Sequence, residues 1–413
     1  MKPSGPALRA LAVTAAAALG VLGTALALDG RAAGPDRPRE DGRSTGPAAG
    51  PACESSVPFA AGQGGYAAFR IPAAVATPGG ALLAFAEGRR DGAGDTGAID
   101  VVARRSADGG CTWGPLTVVA AGGSDTRGNP TPVADPATGR VVLLTTFNGG
   151  GSTEAEIMRG EVTAGEGRRV FVQISEDDGR TFGASREITD DAALPGWRWY
   201  ATGPGHGIAL TGGEHAGRLV IPANHSASPP AGSPDTGLEP RYYGAHALIS
   251  DDGGESWRIG YVADEYTGDL NPNESQVAEL PDGRLYFSAR DQNGTGRGHR
   301  AGAWSADGGE SLEAPYAAQH DLDAVPVVQG SVLQLPGGPL LFSGPSVPEE
   351  RRAPAVWRSD DGGRTFRPAA SLSRLPAAYS DLVPLEDGTA GVLFETGEQG
   401  PYERIEFRRL GPL

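Results

Sequence analysis

The segment Ser250-Asp-Asp-Gly-Gly-Glu-Ser-Trp257 belongs to a pattern that occurs five times and decides the fold of this chain. The five copies are Ser106-Ala-Asp-Gly-Gly-Cys-Thr-Trp113, Ser175-Glu-Asp-Asp-Gly-Arg-Thr-Phe182, Ser250-Asp-Asp-Gly-Gly-Glu-Ser-Trp257, Ser305-Ala-Asp-Gly-Gly-Glu-Ser-Leu312 and Ser359-Asp-Asp-Gly-Gly-Arg-Thr-Phe366. Their central aspartates are 69, 75, 55 and 54 residues apart, a period that indicates a repeated supersecondary unit with insertions. Each carboxylate can accept turn amides, so we expect these aspartates to be structural.

The sequence between these repeats is typical of short strands. The apolar runs are Ala81–Ala86, Val141–Phe147, Arg169–Ile174, Arg284–Ser288 and Gly391–Phe394. They are rich in β-branched or aromatic residues and end at turn residues, as strands do. The 64 glycines and 34 prolines of the 413 residues then indicate many turns. Radial repetition of four-stranded sheets, a β-propeller, fits best; the rungs of the alternative, a right-handed β-helix, are much shorter than these intervals.

The N-terminal residues differ in composition from the rest. Lys2 and Arg9 precede an Ala/Leu/Val run, and Ala25-Leu-Ala27 offers a cleavage site, so residues 1–27 are predicted to be a secretory signal peptide. An uncleaved N-terminal anchor is the alternative. Residues 28–52 are predicted to be a disordered spacer, and 53–413 to form the single propeller domain.

Two cysteines in an exported chain suggest a disulfide, here Cys53 with Cys111, which would attach the incoming segment to the first repeat. Two cysteines and six scattered histidines give no zinc spacing, so we expect neither a metal nor a cofactor.

The formal net charge is −16, and the chain has no basic run. This composition argues against nucleic acid as a partner and against anionic membranes. An anionic ligand would therefore need a local cluster of arginines. Candidates lie in Phe69-Arg-Ile-Pro72, Glu87-Gly-Arg-Arg90, Ala289-Arg-Asp-Gln-Asn-Gly294 and the pair Arg351-Arg352.

Phe69-Arg-Ile-Pro72 and the repeats together resemble the secreted bacterial exo-α-sialidases. The resemblance extends from Cys53 almost to the C-terminus and includes further motifs in the family's order. These are Trp199-Tyr-Ala-Thr-Gly-Pro-Gly-His-Gly207, Asn271-Pro-Asn-Glu-Ser-Gln276, Ala289-Arg-Asp-Gln-Asn-Gly294 and Ala378-Tyr-Ser-Asp-Leu382. It implies a six-bladed β-propeller, a secreted enzyme and sialylated glycans, glycoproteins or glycolipids as substrates. We expect a monomer without stable membrane insertion.

The resemblance also implies the site residues. Arg70, Arg290 and Arg351 would bind the sialic-acid carboxylate, because guanidinium pairs bidentately with carboxylate; Arg352 is the alternative to Arg351. Arg89 would contact a ring hydroxyl. The catalytic residues implied are the nucleophile, its base and the general acid/base, namely Tyr379, Glu274 and Asp95.

Two other functions share these features. A trans-sialidase, including an intramolecular one, would keep the same site and exclude water differently. A non-catalytic sialic-acid-binding propeller would keep the repeats and lose the catalytic Tyr, Glu and Asp, all of which are present here.

Overall fold

The computed structural model describes residues 53–265 and 268–413, so the predicted signal peptide and spacer lie outside the described residues. The first strands are β1 (Ser55–Ala60), β2 (Ala68–Ala76), β3 (Leu82–Arg89), β4 (Ile99–Ser106), β5 (Thr117–Ala120), β6 (Thr126–Ala134), β7 (Val141–Asn148), β8 (Arg169–Ser175), β9 (Arg186–Glu187), β10 (Trp197–Thr202), β11 (Ile208–Ala209) and β12 (Leu219–Ala227). The later strands are β13 (Tyr243–Ser250), β14 (Arg258–Ala263), β15 (Pro272–Glu279), β16 (Leu285–Asp291), β17 (Arg300–Ser305), β18 (Ala317–Ala318), β19 (Ser331–Gln334), β20 (Leu340–Val347), β21 (Glu350–Ser359), β22 (Arg367–Ser371), β23 (Ala377–Pro384), β24 (Ala390–Thr396) and β25 (Arg404–Arg409).

Helices are few and short in the described residues. The α-helices are α1 (Glu154–Arg159) and α2 (Thr189–Ala192), and the 3-10 segments are Gln63–Gly65, Pro240–Tyr242 and His320–Leu322. None of these helices is long and apolar enough to cross a membrane.

The strands pair mainly with their neighbours in sequence. Separate sheets have the orders β10-β12-β13-β14, with β11 on β12, β15-β16-β17-β18, β19-β20-β21-β22 and β1-β25-β24-β23. The remaining eight strands form two four-stranded units, β2 to β5 and β6 to β9, which one parallel bridge between Ile99 and Thr126 merges into a single sheet. Four blades are thus separate sheets and two share one, which gives six units, five of four strands and one of five strands because β11 is added.

The innermost strands close a ring. Strand β2 contacts β6, β6 contacts β10 and β11, β12 contacts β15, β15 contacts β19, β19 contacts β23, and β23 contacts β2. Strand β1 completes the last blade by pairing with β25, so the start and end of the described chain share one sheet. The predicted all-β propeller is confirmed.

The repeated motif forms the same turn in every copy. In the third copy, both oxygens of Asp252 accept hydrogen bonds from Ser256, at 2.8 Å from its amide and 2.5 Å from its hydroxyl. Gly254 has φ 92°, a left-handed conformation that glycine adopts without strain, and its amide donates to Ser250. Trp257 then packs into the apolar cluster between neighbouring blades. The repeat aspartates are therefore structural, as expected.

The predicted disulfide is present. Cys53 bonds to Cys111 with a Cα–Cα distance of 5.4 Å, and no free cysteine occurs among the described residues. Because β1 pairs with the last blade and Cys111 lies in the first repeat turn, the bond links the two ends of the ring.

Candidate active site

The predicted site residues gather at one end of the inner strands. The inner strands all run in the same direction, and the second strand of each blade runs antiparallel to its inner strand. The start of each inner strand and the end of the second strand therefore lie on the same face of the propeller. Arg70, Glu274 and Tyr379 lie near the starts of β2, β15 and β23, while Arg89 and Arg290 lie at or near the ends of β3 and β16.

A break in strand pairing accompanies three of these residues. The register shifts between Arg70 and Ala73, between Pro272 and Ser275, and between Ala377 and Ser380. Bulges of this kind re-aim side chains and are frequent beside active sites. Ile71 has φ 58°, which is strained for a β-branched residue and places the bulge directly after Arg70.

Tyr379, Glu274 and Arg290 form a closed triangle of polar contacts. The Tyr379 hydroxyl lies 2.7 and 2.9 Å from the two Glu274 carboxylate oxygens. Arg290 Nη1 donates to the Tyr379 oxygen at 3.1 Å and pairs with Glu274 at 2.6 Å. Its Nη2 donates to Asn273 Oδ1 at 2.7 Å. The phenol therefore has a carboxylate to accept its proton and a cation beside its oxygen.

The groups around Tyr379 have opposite effects on the pKa of its hydroxyl. Burial raises the pKa of Tyr379, and the negative charge of Glu274 raises it further, while Arg290, Arg70 and Arg351 act to lower it. The net result is a phenol that stays protonated at neutral pH. Deprotonation thus requires the adjacent carboxylate, since a phenol alone is a weak nucleophile.

Arg70 is fixed by a buried carboxylate that the sequence analysis did not single out. Glu395 is fully buried in β24, pairs with Arg70 Nε at 3.2 Å, and accepts the backbone amides of Ile71 at 2.9 Å and Tyr379 at 3.1 Å. Burial lowers the pKa of Arg70, but Glu395 and the other acidic and phenolic groups nearby together outweigh burial and raise that pKa. A signal existed in the sequence, because Glu395 directly follows the apolar run Gly391–Phe394 and still lies within β24.

Asp95 lies at the mouth of the site, between two arginines. Its carboxylate is 2.8 Å from Arg89 Nη1 and 3.2 Å from Arg70 Nη1, and its side chain is 70% exposed. Although the side chain is exposed at the mouth, the surrounding protein displaces water from the carboxylate and so raises the pKa of Asp95; Arg89 and Arg70 outweigh this effect and hold that pKa below its usual range. Arg89 is itself held by Glu87 at 2.6 Å. Glu87 is a second carboxylate that the sequence analysis did not assign.

Arg351 and Arg352 point in opposite directions. Arg351 Nη1 donates to the Tyr402 hydroxyl at 3.1 Å, and its guanidinium carbon lies 5.7 Å from the centre of the Tyr379 ring. Arg352 pairs with Glu350 at 3.2 Å on the surface. Successive residues of a strand face opposite sides, so Arg351 lies on the side of Arg70 and Arg290, and Arg352 lies on the other.

Three arginines thus converge beside a phenol and a carboxylate in an otherwise acidic protein. Such a cluster can bind a planar carboxylate while the phenol attacks the carbon that carries it. In the described part of the chain, no group of three or more His, Cys, Asp or Glu side chains could hold a metal ion.

A cavity lies at the opposite end of the ring. It measures about 680 Å³ and is lined by the far ends of the inner strands, including Ala76, Ala134 and Pro384. His206, whose Nδ1 lies 2.8 Å from buried Asp381, also lines it. The cavity is therefore separate from the arginine cluster.

Comparison with known proteins agrees with this geometry. Residues 80–392 match the BNR repeat-like domain family. The chain is 31% identical over 366 residues to a sialidase of Micromonospora viridifaciens, covering 85% of this chain and about half, 53%, of that protein. It is 34% identical over 379 residues to an exo-alpha-sialidase of Aspergillus fumigatus, covering 84% of each. The solved structure of the Hadza microbial sialidase Hz136 superimposes with a TM-score of 0.72 at 26% identity, over 86% of this chain and 68% of that one. The chain belongs to the sialidase family of glycoside hydrolases.

Proposed function

We propose that the protein is a retaining exo-α-sialidase, which hydrolyses terminal α-ketosidically linked sialic acid from glycans, glycoproteins or glycolipids. The observation that carries the proposal is the contact of the Tyr379 hydroxyl with Glu274 at 2.7 Å beside Arg290, with Arg70 and Arg351 over the Tyr379 ring. A sialic acid carries a carboxylate on its anomeric carbon. A neutral phenol can approach that carbon without the repulsion that an attacking carboxylate would meet.

The first half of the reaction forms a bond from Tyr379 to the anomeric carbon. Arg70, Arg290 and Arg351 hold the substrate carboxylate, and Arg89 contacts a ring hydroxyl. The Tyr379 oxygen attacks while its proton passes to Glu274. The bond to the glycosidic oxygen breaks, and that oxygen takes a proton from Asp95. The substrate carboxylate offsets the positive charge of Arg70 beside Asp95, which helps Asp95 to carry that proton.

The second half reverses the roles. Asp95, now ionised, takes a proton from a water molecule that attacks the anomeric carbon from the face that the leaving group vacated. The bond to Tyr379 breaks and Glu274 returns its proton to the phenol. Two successive inversions at one carbon leave the configuration retained.

We also propose that the enzyme acts outside the cell as a monomer. The proposal is supported by the signal-peptide pattern of residues 1–27, which the spacer 28–52 separates from the domain 53–413. The disulfide between Cys53 and Cys111 agrees with an oxidising compartment.

The test is hydrolysis of sialyllactose followed by NMR of the sugar during the first minutes. A retaining hydrolase releases the α-anomer of free sialic acid first, which then converts to the β-anomer. Release of an anhydro sugar, or transfer to an added galactoside, would instead indicate a trans-sialidase. Binding of sialyllactose without any turnover would indicate a non-catalytic propeller and would overturn the proposal.

A further inference from the structure

Tyr402 contacts two of the three arginines of the cluster and lies outside the sequence motifs that resemble the sialidase family. It lies in the loop between β24 and β25. Its hydroxyl accepts from Arg351 Nη1 at 3.1 Å, and its ring centre lies 4.2 Å from the guanidinium carbon of Arg70. The second contact is a cation–π interaction, shorter than the 5.2 Å between Arg70 and the Tyr379 ring.

The loop that carries Tyr402 is held firmly. The carboxylate of the next residue, Glu403, accepts three backbone amides of the same loop, from Glu398 at 3.0 Å, Gln399 at 2.7 Å and Gly400 at 3.1 Å. The half-buried Tyr402 ring packs against the apolar cluster that contains Tyr379. The ring is therefore a fixed support for the arginines.

Arg351 depends on this support more than the other two arginines. Arg70 pairs with Glu395 and Arg290 pairs with Glu274. Within residues 53–265 and 268–413, Arg351 forms no ion pair; its contacts are the Tyr402 hydroxyl and the carbonyl of Val327 at 3.1 Å. Both partners are neutral, so they orient the guanidinium and leave its positive charge for a ligand.

We propose that Tyr402 is a positioning residue that orients Arg351 through its hydroxyl and supports Arg70 through its ring. It thereby sets how strongly the site binds the substrate carboxylate. This inference rests on the proposed function, since it requires that the arginine cluster binds a carboxylate. A neutral acceptor suits this position, because a carboxylate there would compete with the substrate for Arg351.

The test compares Tyr402→Phe, which removes only the hydroxyl, with Tyr402→Leu, which also removes the ring. Tyr316→Phe is the control, because it removes a buried hydroxyl contact of 2.7 Å with Tyr261 in another apolar cluster. The probes are an unsaturated sialic-acid inhibitor and its methyl ester, which lacks the carboxylate charge. Inhibition constants, KM and kcat are measured for a fluorogenic sialoside, and the melting temperature checks folding.

We expect Tyr402→Phe to weaken inhibition by the acid about 3- to 10-fold, the factor of one hydrogen bond, and inhibition by the ester by less than about twofold. KM should rise more than kcat falls. Tyr402→Leu should weaken inhibition by the acid further than Tyr402→Phe does, and Tyr316→Phe should be inhibited as strongly as the wild type. Equal losses for acid and ester, or no loss in Tyr402→Phe, would overturn the role of Tyr402. A wild type that does not prefer the acid to the ester would instead overturn the proposed function itself.

Discussion

The Tyr379 hydroxyl lies within hydrogen-bonding distance of both Glu274 carboxylate oxygens, at 2.7 and 2.9 Å, although 105 residues separate the two in sequence. Glu274 lies at a bulge in β15, and Tyr379 lies at a bulge in β23. The propeller ring brings these two bulges together on one face. This relationship gives the phenol a neighbouring carboxylate that can accept its proton.

Replacing Glu274 by Gln should remove the base and keep the shape of the site. We expect kcat to fall about 10²- to 10⁴-fold, the range for loss of a general base. Glu279→Gln is the matched control on the same strand, because Glu279 bonds to Thr211 at the opposite end of the ring, at 2.8 Å. The measurement is the steady-state kcat of both variants with a fluorogenic sialoside. Equal activities of the two variants would exclude Glu274 as the base.

Arg290→Lys should be far from conservative. Lysine keeps the charge but loses the planar fork that reaches Glu274, Tyr379 and a substrate carboxylate together. A charge-assisted hydrogen bond contributes about 1.5–3 kcal/mol, so kcat/KM should fall roughly 10- to 150-fold. Arg258→Lys, in a surface ion pair with Glu310, should stay within about twofold of the wild type. If both variants behave alike, Arg290 lies outside the carboxylate site.

Asp95→Asn should affect substrates according to their leaving groups. An alkyl leaving group, as in sialyllactose, needs protonation, whereas an acidic phenol does not. We expect kcat/KM to fall about 10²- to 10⁴-fold for sialyllactose and about tenfold or less for an aryl sialoside. Asp91→Asn changes an exposed carboxylate of the same loop and is the control. Equal losses for the two substrates would contradict a general-acid role.

The pH dependence of this reaction has a definite sign. Displacement of water by the surrounding protein raises the pKa of Asp95, but Arg89 and Arg70 outweigh this effect and lower that pKa in the unliganded protein. The protonated fraction of Asp95 therefore shrinks as the pH rises from the acidic range to neutrality. Turnover of sialyllactose by the wild type should fall over the same interval, and a maximum above neutral pH would contradict the assignment.

Stability should also decrease in mild acid, for a reason unrelated to the site. Burial lowers the pKa of His225 to about 3 and lowers the pKa of His246 well below its ordinary value. The Nδ1 atoms of the two rings lie 3.1 Å apart. Below about pH 6.5 the unfolded chain therefore binds protons that the folded chain does not, and the free energy of unfolding falls by up to about 1.4 kcal/mol per pH unit for each histidine.

Urea unfolding between pH 6.5 and 5.5 measures this decrease. His225→Gln should flatten the slope, while His320→Gln, which changes a largely exposed histidine, should leave the slope unchanged. A wild-type slope in the His225 variant would exclude this histidine as the source.

Much of the fold could be predicted because the repeat turns are local. The turn at Asp252 needs only residues within the same short segment, so its pattern is visible in the sequence. The closure of the ring, by contrast, depends on β1 pairing with β25, which no local pattern specifies.

The site could be predicted in part, through motifs that resemble a known family. The buried partner of Arg70, Glu395, is 325 residues away in sequence and could be located only once the last blade packed against the first. The choice of Arg351 over Arg352 depends on strand register, since a shift of one residue exchanges the faces of a strand. In the structure Arg351 lies beside the Tyr379 ring, whereas Arg352 pairs with Glu350 at the surface.

Trapping of the intermediate on Tyr379 tests the central claim most directly. A sialic acid with fluorine at the anomeric carbon and at its neighbour reacts with the nucleophile and then releases slowly. After incubation, peptide mass spectrometry should find one sialosyl adduct, on the peptide containing Tyr379, and Tyr379→Phe should show none at that position while still binding an unsaturated sialic-acid inhibitor. An adduct on Glu274 or Asp95, or wild-type turnover by Tyr379→Phe, would contradict the account.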